Sequence, residues 1–357
     1  MNLNSQWENY QNFGVFECEK EEEDEKVDKT PKCSTIYIST KTKIAYLNTP
    51  IDLLDIFWRI PITKYEIPKE GVLKKQIKIN SINSEEVEIL EKKLEREQKV
   101  NNVNYEIIQK IDNPNARKNK FKDIRKINIG MNTKDLISYR KKKKGAFYNC
   151  FALILRIFYN NKFKEIHIKV FNTGKLEIPG IQTNEMLFLA LKNLLNLIQP
   201  FMKIKLEYNT DNIETVLINS NFTCNYIINR NKLFDLLKFN YNITSLYDPC
   251  SYPGIQSKYY YNTNNKKNDG VCYCKTKCNS KNKKCVIVSF MIFRTGSILI
   301  VGQCNENVLK IIYNYFINLL IKEYNNVKIS NKLEIKSKAK KVKKKRKKKI
   351  TVYLTKN

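Results

Sequence analysis

The chain has 357 residues, 42% of them hydrophobic, enough apolar side chain for a packed core in one or two domains. Its 65 Lys+Arg against 35 Asp+Glu leave a formal charge of +30, a lean toward a polyanionic partner, although an A- and T-rich genome that raises Lys, Asn and Ile together gives the same balance. A single histidine, His167, excludes a His-rich metal site, and no stretch approaches the ~18 apolar residues of a membrane span.

Residues 1 to about 33 read as an acidic tail, polar from the start and without an apolar signal segment. Ser34–Thr40 alternates like a strand, and Ile51–Trp58 has helical spacing after Asn48-Thr49-Pro50. About 66–145 is charge-rich and reads as an insertion, with a helix from Glu85 to Lys99 that Ser84 would cap and a basic run Lys141–Lys144 near its end. Strands follow at Phe151–Ile157, Glu165–Phe171 and Lys175–Ile178, then a helix from Asn184 that Pro200 ends. A second round has strands at Thr215–Phe222, Lys258–Tyr261, Val286–Phe293 and Ser297–Val301. Its helices are Arg230–Phe239 and Glu306–Tyr324. Lys336–Lys349 forms a polybasic tail: a DNA-clinging arm, a nuclear address or a solubilising segment.

An internal repeat organises this order. Phe171, Thr173, Gly174, Ile178 and Gly180 recur as Phe293, Thr295, Gly296, Ile300 and Gly302, each shifted by 122 (293 − 171). Gly174 and Gly296 suit a tight hairpin turn that needs positive φ, and Gly180 and Gly302 suit the strand-to-helix corner. Alternation puts Ile166, Ile168 and Val170 on one face and His167, Lys169 and Phe171 on the other. Phe171 therefore either caps the core at the sheet rim or belongs to the opposite, functional face.

These residues resemble the TATA-box-binding protein family, whose halves each carry a Phe-x-Ser-Gly-Lys hairpin. Phe171-Asn-Thr-Gly-Lys175 and Phe293-Arg-Thr-Gly-Ser297 match it, and Tyr247-Asp-Pro-Cys-Ser-Tyr-Pro-Gly254 looks like the family's Tyr-Glu-Pro-x-x-Phe-Pro-Gly. The Asn/Lys/Ile-rich text and the insertions look like the diverged versions in large nucleocytoplasmic DNA viruses. The resemblance covers about 34–65 and 146–326. It implies an α+β fold of two pseudo-symmetric halves, 34–205 and 206–327, forming a curved antiparallel saddle with helices on the convex side and a basic tail over 328–357. It also implies a transcription initiation factor that binds and bends A/T-rich double-stranded DNA through the minor groove, with RNA polymerase and other initiation factors as partners.

Carried over position by position, Phe171 and Phe293 match wedging phenylalanines and Tyr252 the second half's partner wedge. The first half's partner falls at Cys150 by strict counting, with Phe151 beside it. Arg156 and Lys258 match phosphate-contacting positions, Lys175 the hairpin lysine, Leu299 an apolar minor-groove contact, and Asn219 or Asn221 the central base-edge amide. Ser297 replaces the second hairpin lysine, Pro179 and Val301 the family threonines, and Gln182 and Cys304 a later lysine. Glu177 falls where the family has an apolar residue, and a carboxylate there is unfavourable against phosphates unless paired.

Between two strands of the second half, an insertion over about 262–285 carries Cys272, Cys274, Cys278 and Cys285. These are ligands for one structural zinc or unligated thiols in a lysine-rich loop. No Walker loop, Ser/His/Asp set or two-metal acidic cluster is present, which points to a non-enzyme without a small-molecule substrate or membrane partner. The competing readings are a protein-interaction scaffold of the transcription complex that has lost its DNA surface and, more remotely, an accessory domain of a nuclease or glycosylase. The expected setting is intracellular: a nucleus or cytoplasmic viral factory, with packaging in the virion an open alternative.

Overall fold

The computed structural model describes residues 31–329 apart from 118–119, 138–146, 265–266, 276–277 and 279–283. The chain divides into Met1–Lys32 and Cys33–Asn357, and every helix and strand named here belongs to the second unit. The acidic run Glu8–Lys26 and the basic runs Lys141–Lys144 and Lys336–Lys349 lie outside the described residues.

In chain order the elements begin β1 (Tyr37–Tyr46), α1 (Leu53–Arg59), β2 (Gly71–Ser81), α2 (Ser84–Gln98), β3 (Val103–Asp112), β4 (Phe121–Gly130) and α3 (Thr133–Ile137). They continue with β5 (Cys150–Tyr159), β6 (Lys162–Phe171), β7 (Lys175–Ile181), α4 (Asn184–Ile198), β8 (Glu214–Thr223) and α5 (Arg230–Asp235). After a π turn over Leu236–Asn240 come β9 (Thr244–Leu246), β10 (Ile255–Tyr261), β11 (Val286–Ile292), β12 (Ser297–Gly302), α6 (Glu306–Lys322) and α7 (Tyr324–Val327). The strands form one 12-stranded sheet in the order β3-β4-β2-β5-β6-β7-β1-β8-β12-β11-β10-β9. Its strand pairings are antiparallel, so the chain is α+β with an antiparallel sheet.

Reading outward from the central β1–β8 pair gives β7, β6, β5, β2 on one side and β12, β11, β10, β9 on the other. The stretch expected as an insertion supplies β2, α2, β3, β4 and α3, and β3 and β4 extend the sheet beyond β2. The expected cap of α2 moves by one residue. Asn83, not Ser84, accepts from the Glu86 N–H at 2.8 Å, while Glu86 reaches back to the Ile82 N–H.

Two apolar clusters fill the helix-bearing side of the sheet. One joins β1, β5, β6 and β7 to α1 and α4 through residues such as Ala45, Phe57, Ile168, Leu176 and Leu191. The other joins β8, β11 and β12 to α5 and α6 through Phe222, Phe290, Ile300, Ile312 and Phe316, with the Phe290 and Phe316 rings 4.0 Å apart. Strand alternation sends the intervening side chains to the opposite face, called here the open face.

A candidate nucleic-acid interface on the open face

The two hairpins are built by the same bonds. Gly174 has φ +81° and Gly296 φ +79°, and each donates its N–H to a phenylalanine carbonyl at 3.0 Å, Phe171 in the first hairpin and Phe293 in the second. The Gly174 carbonyl accepts from Leu47 and the Gly296 carbonyl from Cys224, both at 2.9 Å. The Asn172 carbonyl accepts from Ile51 and the Arg294 carbonyl from Ile228, also at 2.9 Å. The long helices after them start alike, Thr183 capping α4 and Asn305 capping α6, which are 122 residues apart (305 − 183). Cross-strand register agrees: Ile44 faces Glu177 and Tyr46 faces Lys175, while Asn221 faces Leu299 and Thr223 faces Ser297. The corner glycines differ. Gly180 takes φ +87°, whereas Gly302 stays outside the positive-φ region and packs on Val288.

Toward the β10–β11 end of the open face, Tyr252 and Phe293 lie 5.9 Å apart by ring centroid, both half-buried. Gly254 sits against both rings, and a Cβ there would come within 3.1 Å of each. Phe290, three positions earlier, goes to the core, so the two phenylalanines separate by face. Lys258, on the same face, is exposed. Along the centre, Leu299 and Asn221 are half-buried neighbours, and Asn219 faces Val301. The Asn219 Oδ1 is closed to solvent and makes no hydrogen bond.

On the β5–β7 side of the sheet, Phe171 is half-buried with the Lys175 ammonium 5.7 Å from its ring centroid. Glu177 is paired: Lys169 Nζ donates to its carboxylate at 2.7 Å across β6–β7, which removes the unpaired charge the sequence raised. Two expectations fail here. Phe151 is fully buried against Phe57, because odd positions of β5 face the helices. Cys150, opposite Phe171, is the residue on the open face. Arg156 does not reach outward for phosphate; it is buried, and its guanidinium donates to the Lys69 carbonyl at 2.7 Å, the Tyr65 carbonyl at 2.9 Å and the Ile67 carbonyl. Segment 61–70 thus lies as a lid over that end of the open face. It is pinned further where Tyr65 meets Thr133, and where Asn132 and Thr133 bond Glu165.

Phe147 was missed by the sequence reading. It is 62% exposed, with the Lys169 ammonium 5.3 Å from its ring centroid. Its one available signal was position, an aromatic just before β5 with no apolar period to place it in the core.

The four cysteines of the 262–285 loop come together, their Sγ atoms all within 4.8 Å of one another, a group that can hold a metal ion. Burial pushes the Cys272 thiol up, but hydrogen bonds with Cys278 and Cys274 outweigh it and bring it down to about 7. Burial and the same neighbours push Cys285 well up. Elsewhere, burial raises Cys224 and Cys304 to about 11, so those thiols stay protonated and inert.

No known family's profile matches the chain. It is similar to a curated mimivirus (Acanthamoeba polyphaga mimivirus) protein named "TATA-box-binding protein-like", 25% identical over 209 residues, 54% of each chain. The chain thus spans about half the length of that relative. Among solved structures, "Methanococcus jannaschii TBP" aligns with a TM-score of 0.38 and 12% identity, over 81% of this chain and 99% of its own. By the mimivirus likeness the chain resembles a diverged viral TATA-box-binding protein-like protein.

Proposed function

We propose that the chain is a TATA-box-binding protein-like transcription initiation factor whose open face receives the minor groove of A/T-rich promoter DNA and bends it. In this reading 34–205 and 206–327 are duplicated halves. Phe171 in one and Tyr252 with Phe293 in the other wedge into base steps at the two ends of the site. Lys175 and Lys258 contact phosphates, Leu299 packs on the groove floor, and Asn219 offers its amide to base edges near the centre. The helix-bearing side is left for RNA polymerase and other initiation factors. The name of the mimivirus relative supports this reading.

The observation that carries it is the pair of matching hairpins. Each has a half-buried phenylalanine held at the rim of the open face by a glycine-closed turn with the same backbone bonds. The Asn219 Oδ1, shut from solvent and without a hydrogen bond, adds a polar group on the same face. A scaffold that has lost DNA contact draws on Glu177 and Ser297; Lys169 pairs with the Glu177 carboxylate, which leaves that reading the missing lysine at Ser297.

The test is a fluorescence bending assay on an A/T-rich duplex across a salt series. The wild-type chain should bend the duplex, with affinity falling steeply as salt rises. Phe171→Ala/Phe293→Ala should lose the bend and bind about tenfold more weakly. Binding without a bend in the wild type, or an unchanged bend in the double variant, would replace this reading with the scaffold or a tail-driven mode.

A further inference from the structure

The β10–β11 connection is out of proportion to its counterpart. β5 and β6 are joined by two residues, Asn160 and Asn161, both at positive φ (52° and 57°), the tightest kind of hairpin turn. β10 ends at Tyr261 and β11 starts at Val286, so the same job takes 24 residues (285 − 261). That loop is rich in Lys and Asn, and among its described residues the apolar side chains other than cysteine are Val271 and Tyr273, the latter 59% exposed. So little apolar surface cannot offset the entropy of ordering two dozen residues.

Yet parts of the loop are fixed. The Gly270 carbonyl accepts from the Tyr260 N–H at 3.0 Å, beyond where β9 stops pairing with β10. Asn268 accepts from the Tyr259 hydroxyl, and Gly270 lies so close to the Tyr259 ring that a Cβ would approach it to 2.7 Å. Cys278 and Cys285 are buried against Tyr260, with Cys272, Cys274 and Ile287 packed around them.

The sulfur geometry says what holds this together. Cys274 Sγ lies 3.6 Å from Cys285 Sγ and 3.6 Å from Cys278 Sγ. A disulfide needs about 2.05 Å, so these are not bonded pairs. Four thiolates about 2.3 Å from a central tetrahedral ion stand about 3.8 Å from one another, close to what is found. The donor set is all sulfur, the chemistry that selects zinc over harder divalent ions. Asn262 Nδ2 donates toward Cys285 Sγ at 3.8 Å, the kind of outer hydrogen bond that orients a thiolate ligand.

We propose that Cys272, Cys274, Cys278 and Cys285 bind one zinc-class divalent ion as a tetrathiolate, and that this ion folds the 262–285 loop onto the free edge of β10. Its test does not depend on nucleic-acid binding. It is tested on the full chain, purified reduced, by native mass spectrometry and by the visible absorption of Co²⁺ added to the metal-free protein. One ion per chain and a tetrahedral thiolate–cobalt spectrum are expected. Cys274→Ser and Cys272→Ser, each removing a half-buried thiol, should lose the spectrum and weaken Zn²⁺ binding at least about tenfold. Cys250→Ser, at an exposed thiol outside the cluster, should bind as the wild type does. Chelation should open the loop to protease while the flanking strands stay resistant. No ion and no cobalt spectrum in the wild type would overturn the proposal, and that measurement does not depend on any variant folding. Undiminished binding in both serine variants, or two disulfides among the four cysteines of freshly purified chain, would overturn it as well.

Discussion

Gly296 sits at φ +79°, with the Tyr226 carbonyl 2.3 Å and Cys224 Sγ 2.8 Å from where a Cβ would stand; Gly180 sits at φ +87° with nothing within 4 Å. The backbone strain of a left-handed alanine, about 1–2 kcal/mol, applies to both, but the collision applies to Gly296 alone. Gly296→Ala should therefore lower the urea midpoint clearly more than Gly180→Ala, and equal losses would mean the neighbours of Gly296 yield freely. Both hairpin glycines were legible from the repeat. The neighbouring choice between Cys150 and Phe151 was not, because one position along a strand exchanges faces and only the β5–β6 register settles which residue goes where. Arg156 misled for another reason. Three carbonyls from 65–69 capture its guanidinium, and no local spacing announces a partner about ninety positions upstream.

Among the elements, β4 is the instructive miss. Its sequence, Phe121-Lys-Asp-Ile-Arg-Lys-Ile-Asn-Ile-Gly130, looks too polar for an inner strand, yet Asp123 and Arg125 are both buried. They satisfy each other through two parallel bonds, Nε to Oδ1 at 2.8 Å and Nη2 to Oδ2 at 2.9 Å, and Arg125 also reaches Glu91 of α2 at 2.9 Å. Arg125→Leu would strand the Asp123 carboxylate in the interior and should cost about 3–5 kcal/mol in chemical denaturation. A loss below about 1 kcal/mol would mean water enters the site. Where charge is hidden this way, periodicity reads as loop. β3 was also illegible, since Tyr105, Ile107 and Ile108 are all exposed, and β9 has only three residues. The strands and helices legible in the sequence, β1, β5 to β8, β10 to β12, α1, α2 and α4 to α6, are those whose alternate or helical positions feed the two apolar clusters.

At the scale of the whole sheet, the 122-residue offset joins only the hairpins and the elements C-terminal to them. The strands and caps before them obey another offset, 177, as in Leu47 and Cys224 or Ile51 and Ile228. The difference of 55 residues means that the chain from Leu47 to Phe171 is that much longer than the chain from Cys224 to Phe293, which includes the cysteine loop. Few identities survive along the earlier stretch, Ile51 with Ile228 and Phe57 with Phe234 among them, so the agreement rests mainly on backbone bonds and register, which is why sequence did not reveal it. Across the middle, Lys41 of β1 meets Glu306 of α6 at 2.7 Å, and β1 pairs directly with β8.

The lid over 61–70 gives the open face unlike ends. One end has Arg156 shut beneath backbone, and the other leaves Lys258 exposed beside Tyr252 and Phe293. A groove built from two equal halves would seat a duplex facing either way, with no preference between them. Unequal ends break that tie, because a duplex turned end for end no longer meets the same groups. If the face receives DNA as proposed, the lid becomes a compass that tells left from right along the promoter and so sets which strand is transcribed. A cleavage reagent tethered at the exposed Cys250 should then cut one flank of an asymmetric A/T-rich site in preference to the other. Equal cutting on both flanks would leave the choice of direction to a partner rather than to this chain.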